Sequence, residues 1–320
     1  MRTKMKLPIL VFVSLIACSV AAAQTGPSRP RITGIESVRI YVTDIAKARE
    51  FYSSLYGVRL KGSMCLDTSG KCFTVGWLRG QTIELEEHQG PDTKNLLASV
   101  TVGTDNIERM RSYLVSHGVA ATEISKDTFE KSVLDAHFEV RDPEGNRISF
   151  IQRFAYPVDD PPPGAPFFVQ IIHAGFVVHD RAAEDRFYKD ILGLHVYWHG
   201  GRKDDETSWV DMQVPDGTDW IEYMLNVPAN ADHHTLGVMN HIALGVPDIH
   251  AAEAQLRKNG WNGTEKPKMG RDGKWQLNLY DPDDTRVEFM EFTPVQKPCC
   301  SDYTGPHPGP QPSSNAPAKP

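Results

Sequence analysis

Apolar and polar positions along this chain switch between a strand-like period and a helix-like one, and they do so four times. In the third stretch Phe187, Tyr188, Ile191 and Leu192 fall at helical spacing on one face, with Gly193 as the stop. In the fourth, Ile249, Ala252 and Leu256 form the matching face of a helix that ends at Asn259-Gly260. Strand patterns follow each helix, at Ser208–Val214 and Asp219–Asn226 in one case and at Trp275–Tyr280 and Thr285–Phe292 in the other. Each stretch opens with a short strand of its own. The pattern predicts four β-α-β-β-β units in an α+β chain.

The units are copies. Ser37–Asp44, Phe51-Tyr52 and Leu55-Tyr56-Gly57 match His173–Asp180, Phe187-Tyr188 and Ile191-Leu192-Gly193 at a constant offset of 136. Ser99 through Asn106-Ile107 to Gly118 matches His241 through Asp248-Ile249 to Gly260 at an offset of 142. Asp142-Pro-Glu-Gly-Asn-Arg-Ile-Ser149 matches Asp281-Pro-Asp-Asp-Thr-Arg-Val-Glu288 at an offset of 139. Shared offsets of this kind mark a tandem duplication. Between the halves, Tyr156–Pro166 holds five prolines and a glycine, the composition of a stiff linker, which we bound at 154–169. From 293 to 320 the composition collapses into Pro, Ser and Gly, and a disordered tail is expected.

The N-terminus changes the composition. Residues 1–23 carry Arg2, Lys4 and Lys6 without an acidic residue, then the apolar run Leu7–Ala17 and Ala21-Ala22-Ala23, the layout of a secretory signal peptide. Two endings stand open: cleavage before Gln24, or a lipobox at Leu15–Cys18 that would place a lipid anchor on Cys18. The 320-residue chain has net charge −7; without residues 1–23 it has 297 residues, 31 basic against 41 acidic, and net charge −10. An acidic chain without a basic tract is a poor nucleic-acid ligand. No later run is long enough to span a bilayer as a helix, so the reading is an exported protein, periplasmic or secreted. In that compartment Cys65 and Cys72, which flank a turn-rich Leu-Asp-Thr-Ser-Gly-Lys, are expected to form a disulfide. Cys299-Cys300 receives no role.

Four such units resemble two tandem domains of the vicinal oxygen chelate superfamily, which includes glyoxalase I, type I extradiol dioxygenases, methylmalonyl-CoA epimerase and fosfomycin-resistance proteins. The resemblance rests on the strand, helix, Phe-Tyr, Leu-Gly opening and the Asp-Pro-x-x-x-Arg-x-Glu ending, and covers 33–153 and 170–292. It implies open curved mixed sheets, each closing around a cleft. It also implies metal ligands from the first strand and the last strand of each unit. Carried over by position, these are His173, Glu222, His241 and Glu288, a set suited to one divalent ion such as Ni, Zn, Co, Mn or Fe. The matching N-terminal residues are Ser37, Glu84, Ser99 and Ser149, so that domain is expected to be a degenerate scaffold without metal ligands, with Glu84 a surface or structural carboxylate.

The resemblance leaves three functions open. In a glyoxalase I-like or epimerase-like lyase/isomerase, the metal stabilises an enediolate of a small oxygenated substrate while Glu222 or Glu288 shuttles the proton. Asn226 then falls where glutathione-using members place a substrate-binding Asn, whereas Val177 stands where their glutathione-contacting Arg is expected. In an extradiol dioxygenase, His173, His241 and Glu288 would hold Fe(II), with Tyr280 near the substrate and His195 or His199 as further acids. The third is a binding protein for a small molecule without chemistry. His233-His234 is read as a solvated loop, and Trp198, Trp209, Trp220 and Trp275 as core or pocket wall.

Overall fold

The computed structural model describes residues 28–56, 72–78, 81–88, 95–129, 132–154 and 170–309. The residues expected to form a signal peptide or lipobox, Cys65 and almost all of the proline-rich linker lie outside them, and with Cys65 the expected Cys65–Cys72 pairing. The first unit comprises β1 (Ile32–Val42), α1 (Ile45–Tyr56), β2 (Cys72–Leu78) and β3 (Gln81–Glu87); the second, β4 (Leu97–Thr104), α2 (Ile107–Ser116), β5 (Ser125–Phe129), β6 (Ser132–Arg141) and β7 (Arg147–Arg153). In the third unit β8 (Gln170–Val177) leads to α3 (Arg181–Glu184), which runs on as a π-helical stretch over Asp185–Ile191. β9 (His195–Gly200), β10 (Trp209–Gln213) and β11 (Trp220–Met224) follow. A short α4 (His233–Met239) precedes the fourth unit: β12 (His241–Val246), α5 (Ile249–Lys258), β13 (Lys268–Met269), β14 (Trp275–Tyr280) and β15 (Arg286–Glu291).

The repeated sequence marks are the residues that start and stop the helices. Asp44, Asn106, Asp180 and Asp248 each accept hydrogen bonds from backbone N–H groups two or three residues on, at 2.8–3.1 Å, the N-cap interaction that satisfies orphan donors of a first turn. Gly193 and Gly260 follow the helices at φ +78° and +104°, where a side chain would be strained.

Two units share each curled sheet. The seven-stranded sheet has the order β2-β3-β1-β4-β7-β6-β5, and the eight-stranded sheet β13-β14-β15-β12-β8-β11-β10-β9. In both, the opening strands of the two units pair antiparallel at the centre, and each is flanked by the parallel last strand of its own unit. The halves join through the same marks. Tyr52 of the first unit donates to Asp281 of the fourth at 3.0 Å, and Tyr188 of the third donates to Asp142 of the second at 3.0 Å. The Phe-Tyr and Asp-Pro motifs are thus the two sides of one pseudo-symmetric seam, and a common apolar core spans both sheets.

The C-terminal segment departs from expectation. Through residue 309 it folds back over β9 and β10 instead of lying free. Thr304 N–H donates to the Tyr197 carbonyl (3.0 Å), His199 N–H donates to Ser301 Oγ (2.9 Å), Gln213 donates to the Pro306 carbonyl (2.9 Å), and Trp198 Nε1 donates to the Cys299 carbonyl (3.1 Å). β9 is a sheet edge, and the segment satisfies backbone groups an edge leaves open. Tyr303 anchors it: its ring packs on Tyr197 with centroids 4.7 Å apart, and its hydroxyl donates to the Asp272 carbonyl at 2.9 Å. Cys299 and Cys300 are disulfide-bonded to each other.

Candidate metal centre

The four central strands of the eight-stranded sheet, β15-β12-β8-β11, each contribute one of the four matched residues: Glu288, His241, His173 and Glu222. Register brings them together. His241 lies opposite Gly175 on β8, and His173 lies opposite Ala243 on β12, so each imidazole faces a small residue on the neighbouring strand. Gly175 is needed there: a Cβ on it would sit 2.3 Å from the His241 ring.

His173 Nε2 and His241 Nε2 are 3.0 Å apart. Glu222 Oε2 lies 3.1 Å from His241 Nε2 and 3.5 Å from His173 Nε2, and Glu288 Oε2 lies 3.6 and 3.9 Å from the same atoms. Donor atoms of His173, His241 and Glu288 all fall within 4.8 Å of one another, and the three residues are buried. His241 Nδ1 lies 2.9 Å from the Met239 carbonyl, which fits an Nδ1–H donor and leaves the Nε2 lone pair directed into the cluster. Lone pairs of two imidazoles and two carboxylates converging at these distances repel one another unless a cation sits among them. The donor set therefore fits a divalent ion.

Electrostatics agree with that reading. Burial holds the His173 imidazole neutral, with its pKa lowered to about 3. Burial would raise Glu288, but Arg286 and His241 overcome it and lower its pKa to about 2. Glu222 is likewise lowered: burial, the largest single influence, would raise it, but the hydrogen bond to His241 and the electrostatic attraction of His173, His241 and Arg286 together outweigh it. Burial and the Arg286 guanidinium oppose a proton on His241, while hydrogen bonds to Glu222 and Glu288 favour it, and the net shift is upward. Both carboxylates are charged at neutral pH. Arg286, 2.6 Å from His241 Nε2 and 3.9 Å from Glu288, offsets only one of them.

The cluster opens into a cavity of about 220 Å³ walled by Trp198, Trp209, Trp220 and Met290, with Asp211 and Arg271 among its polar groups. Of these, the tryptophans and Arg286 carried a signal in the sequence, the latter as the invariant cation of the Asp-Pro-x-x-x-Arg repeat. Asp211 did not. It is buried on β10, and burial followed by the nearby Glu222 charge pushes its carboxyl well above the usual range.

Two expected substrate contacts lie elsewhere. Asn226 is exposed at φ +62° in the turn after β11 and donates to the Thr207 carbonyl at 3.0 Å, so it shapes a turn. Tyr280 ends β14 with 36% of its surface exposed, outside the cavity wall. Val177 is buried with Met224 and Val227. His195 and His199 lie on β9 outside the cavity wall, and His233 and His234, expected in a loop, open α4 and are exposed.

The N-terminal sheet has no such cluster at the matching positions. Ser37, Ser99 and Ser149 are buried there, and Glu84 pairs with Arg39 at 2.8 Å, a structural carboxylate.

A family model described as the Glyoxalase/Bleomycin resistance protein/Dioxygenase superfamily matches residues 34–150 and 170–289. The chain belongs to this superfamily. Within it, a lactoylglutathione lyase of Haemophilus influenzae is 28% identical over 125 residues, covering 38% of this chain and 93% of that protein. Homoprotocatechuate 2,3-dioxygenase of Arthrobacter globiformis has the same two-domain fold, with a TM-score of 0.58 at 19% identity over 83% of this chain and 81% of the other. The Brevibacterium fuscum homoprotocatechuate 2,3-dioxygenase, solved with 3,4-dihydroxyphenylacetate, gives 0.57 at 17% over 82% of each chain. These superfamily relatives are enzymes. Among the described residues no helix is long and apolar enough to cross a membrane.

Proposed function

We propose that the C-terminal domain is a metal-dependent lyase or isomerase centre of the glyoxalase I type, with His173, Glu222, His241 and Glu288 as ligands and a small oxygenated molecule as substrate. The observation that carries this is Glu222, whose carboxylate reaches both imidazoles instead of turning away. A divalent ion bound there supplies Lewis acidity to adjacent substrate oxygens. Glu222 is the group that moves a proton: it is ionised, reaches the donor cluster and lies in the cavity wall. Glu288, held by Arg286, stays a fixed anion. The tryptophans exclude water and present flat apolar faces to the substrate. A glutathione conjugate is not the favoured substrate, because Val177 and Asn226 offer nothing toward the cavity.

A second reading has one specific observation behind it. The mutual 4.8 Å grouping of His173, His241 and Glu288 fits a facial triad for Fe(II), and the two-domain likeness to extradiol dioxygenases is in the same direction. One experiment separates them. Purified full-length protein should lose one equivalent of metal on His241→Ala. On 2-hydroxy-ketone and hemithioacetal substrates, Glu222→Gln should slow isomerisation at least about 100-fold, with no oxygen consumed at any stage. Oxygen uptake with catechols that survives Glu222→Gln would overturn the lyase/isomerase reading in favour of the second.

We further propose export, on the layout of residues 1–23. Sequencing the mature N-terminus tests it: a start at Gln24 or an acylated Cys18 supports export, and retention of Met1–Ala23 refutes it.

A further inference from the structure

The N-terminal sheet carries a second donor cluster that the reading above does not use. β5 and β6 are antiparallel at its edge with Asp127 opposite Asp135, and the strand period of two puts Asp135 and His137 on one face of β6. Donor atoms of Asp127, Asp135 and His137 lie within 4.8 Å of one another. His137 Nδ1 is 3.6 Å from Asp135 Oδ1 and 4.0 Å from Asp127 Oδ2. Asp135 is 4% exposed, and its Oδ1, the atom facing His137, accepts no hydrogen bond among the described residues. A buried carboxylate oxygen without a donor is destabilising unless something cationic completes it.

The duplicated domain says what kind of charge the position takes. Glu139 and Ser149 pair on β6 and β7 as Asn278 and Glu288 pair on β14 and β15. In that register Asp135 matches Lys274 and His137 matches Gln276. Lys274 is a fully buried lysine, its Nζ 4.9 Å from the Trp220 ring and 5.2 Å from the Tyr303 ring. The C-terminal domain thus has a basic side chain at the place where the N-terminal domain has a carboxylate. The N-terminal domain also has an imidazole and a second carboxylate beside it.

We propose that Asp127, Asp135 and His137 form a second divalent-cation site, in the N-terminal domain and independent of the His173–His241 centre. Two carboxylates and one imidazole suit Zn²⁺, Co²⁺ or Mn²⁺, and the partial exposure of Asp127 and His137 leaves open coordination positions and an entry path.

The test is a Co²⁺ titration of chelator-treated full-length protein, read by calorimetry and by visible absorption of the bound ion. Wild type should bind two equivalents. Asp135→Asn and His137→Ala should each bind one, His241→Ala should also bind one, and Asp135→Asn combined with His241→Ala should bind none. Asp127→Asn, at a partly exposed position where misfolding is not a concern, should match Asp135→Asn. Binding of one equivalent in wild type that His241→Ala abolishes, or two equivalents retained by Asp127→Asn, would overturn the proposal. If instead the C-terminal centre is the reading that fails, wild type binds one equivalent, kept by His241→Ala and lost by Asp127→Asn.

Discussion

β1 and β8 hold the same place at the centres of the two sheets, yet the middle of one carries Arg39 and the middle of the other Gly175. Arg39 lies opposite Glu84 and Ser99; Gly175 lies opposite Glu222 and His241. In the C-terminal sheet the missing side chain makes room for an imidazole, and four donors converge. In the N-terminal sheet a guanidinium fills that room and meets Glu84 at 2.8 Å and Glu86 at 3.3 Å. The lesson is about charge. A carboxylate at the centre of a packed sheet requires a cation, which the chain can supply covalently as an arginine or recruit from solution as a metal ion. Where the C-terminal sheet has His173, His241 and Gly175, the N-terminal sheet has Ser37, Ser99 and Arg39.

The sharpest way to break this comparison is to transplant its key residue. Gly175→Arg should abolish metal binding in the C-terminal domain, with affinity reduced at least about 100-fold, because even a Cβ at 175 collides with the His241 ring at 2.3 Å. Equilibrium dialysis at the His241-dependent site, with far-ultraviolet circular dichroism to verify folding, reads the effect. Retention of metal by a folded variant would show that space at this position does not decide between the domains.

Much of this was legible beforehand, for a physical reason. N-caps, helix-stop glycines and the Tyr–Asp seam are local or strictly periodic demands, so each left the same residue type at a fixed offset, and the family resemblance then placed four candidate ligands within that frame. Arg39 was legible in the same way, since the offset of 136 pairs it with Gly175, but only a structure shows that the two occupy one space. The segment after Thr293 was not legible. Its Pro and Gly content resembles that of an unstructured tail, while what holds it is the Tyr303 ring together with hydrogen bonds to β9 and β10. Tyr303 docks on Tyr197 beside Lys274, surfaces that exist only once β9 and β14 have come together. Asn226 misled because position in a family pattern ignores backbone: at φ +62° its side chain turns to the Thr207 carbonyl.

A smaller effect sharpens the electrostatic half of the comparison. Ligands must be deprotonated to bind a metal, so each ligand pKa sets a pH below which protons compete. Glu288 at about 2 and His173 at about 3 stay deprotonated through the accessible range, whereas His241 is raised above 6.5. One proton should therefore compete near neutrality. Metal affinity at the C-terminal centre should fall about tenfold for each pH unit below the His241 pKa, and level off above it. Calorimetric titrations between pH 5 and 8 check the slope. A slope of two protons per ion in that window would show that His173 is not held neutral by burial.

The smallest effect lies in the N-terminal sheet, where the cation is part of the chain. Arg39→Met keeps most of the apolar stem and removes the charge, leaving Glu84 and Glu86 without the guanidinium in a sheet centre where their side chains are 21% and 24% exposed. Partial exposure moderates the penalty, which should be about 1–2 kcal/mol of unfolding free energy, read as a lower urea midpoint at unchanged slope. Arg39→Gly goes further, recreating the residue that the C-terminal sheet has at this place. It should be at least as destabilised, and it should gain no metal at the Arg39 position, because Ser37, Ser99 and Ser149 supply only neutral hydroxyls beside Glu84. An added equivalent of bound metal in Arg39→Gly would mean that the arginine alone, and not the lost imidazoles, is what keeps the N-terminal centre from being a metal site.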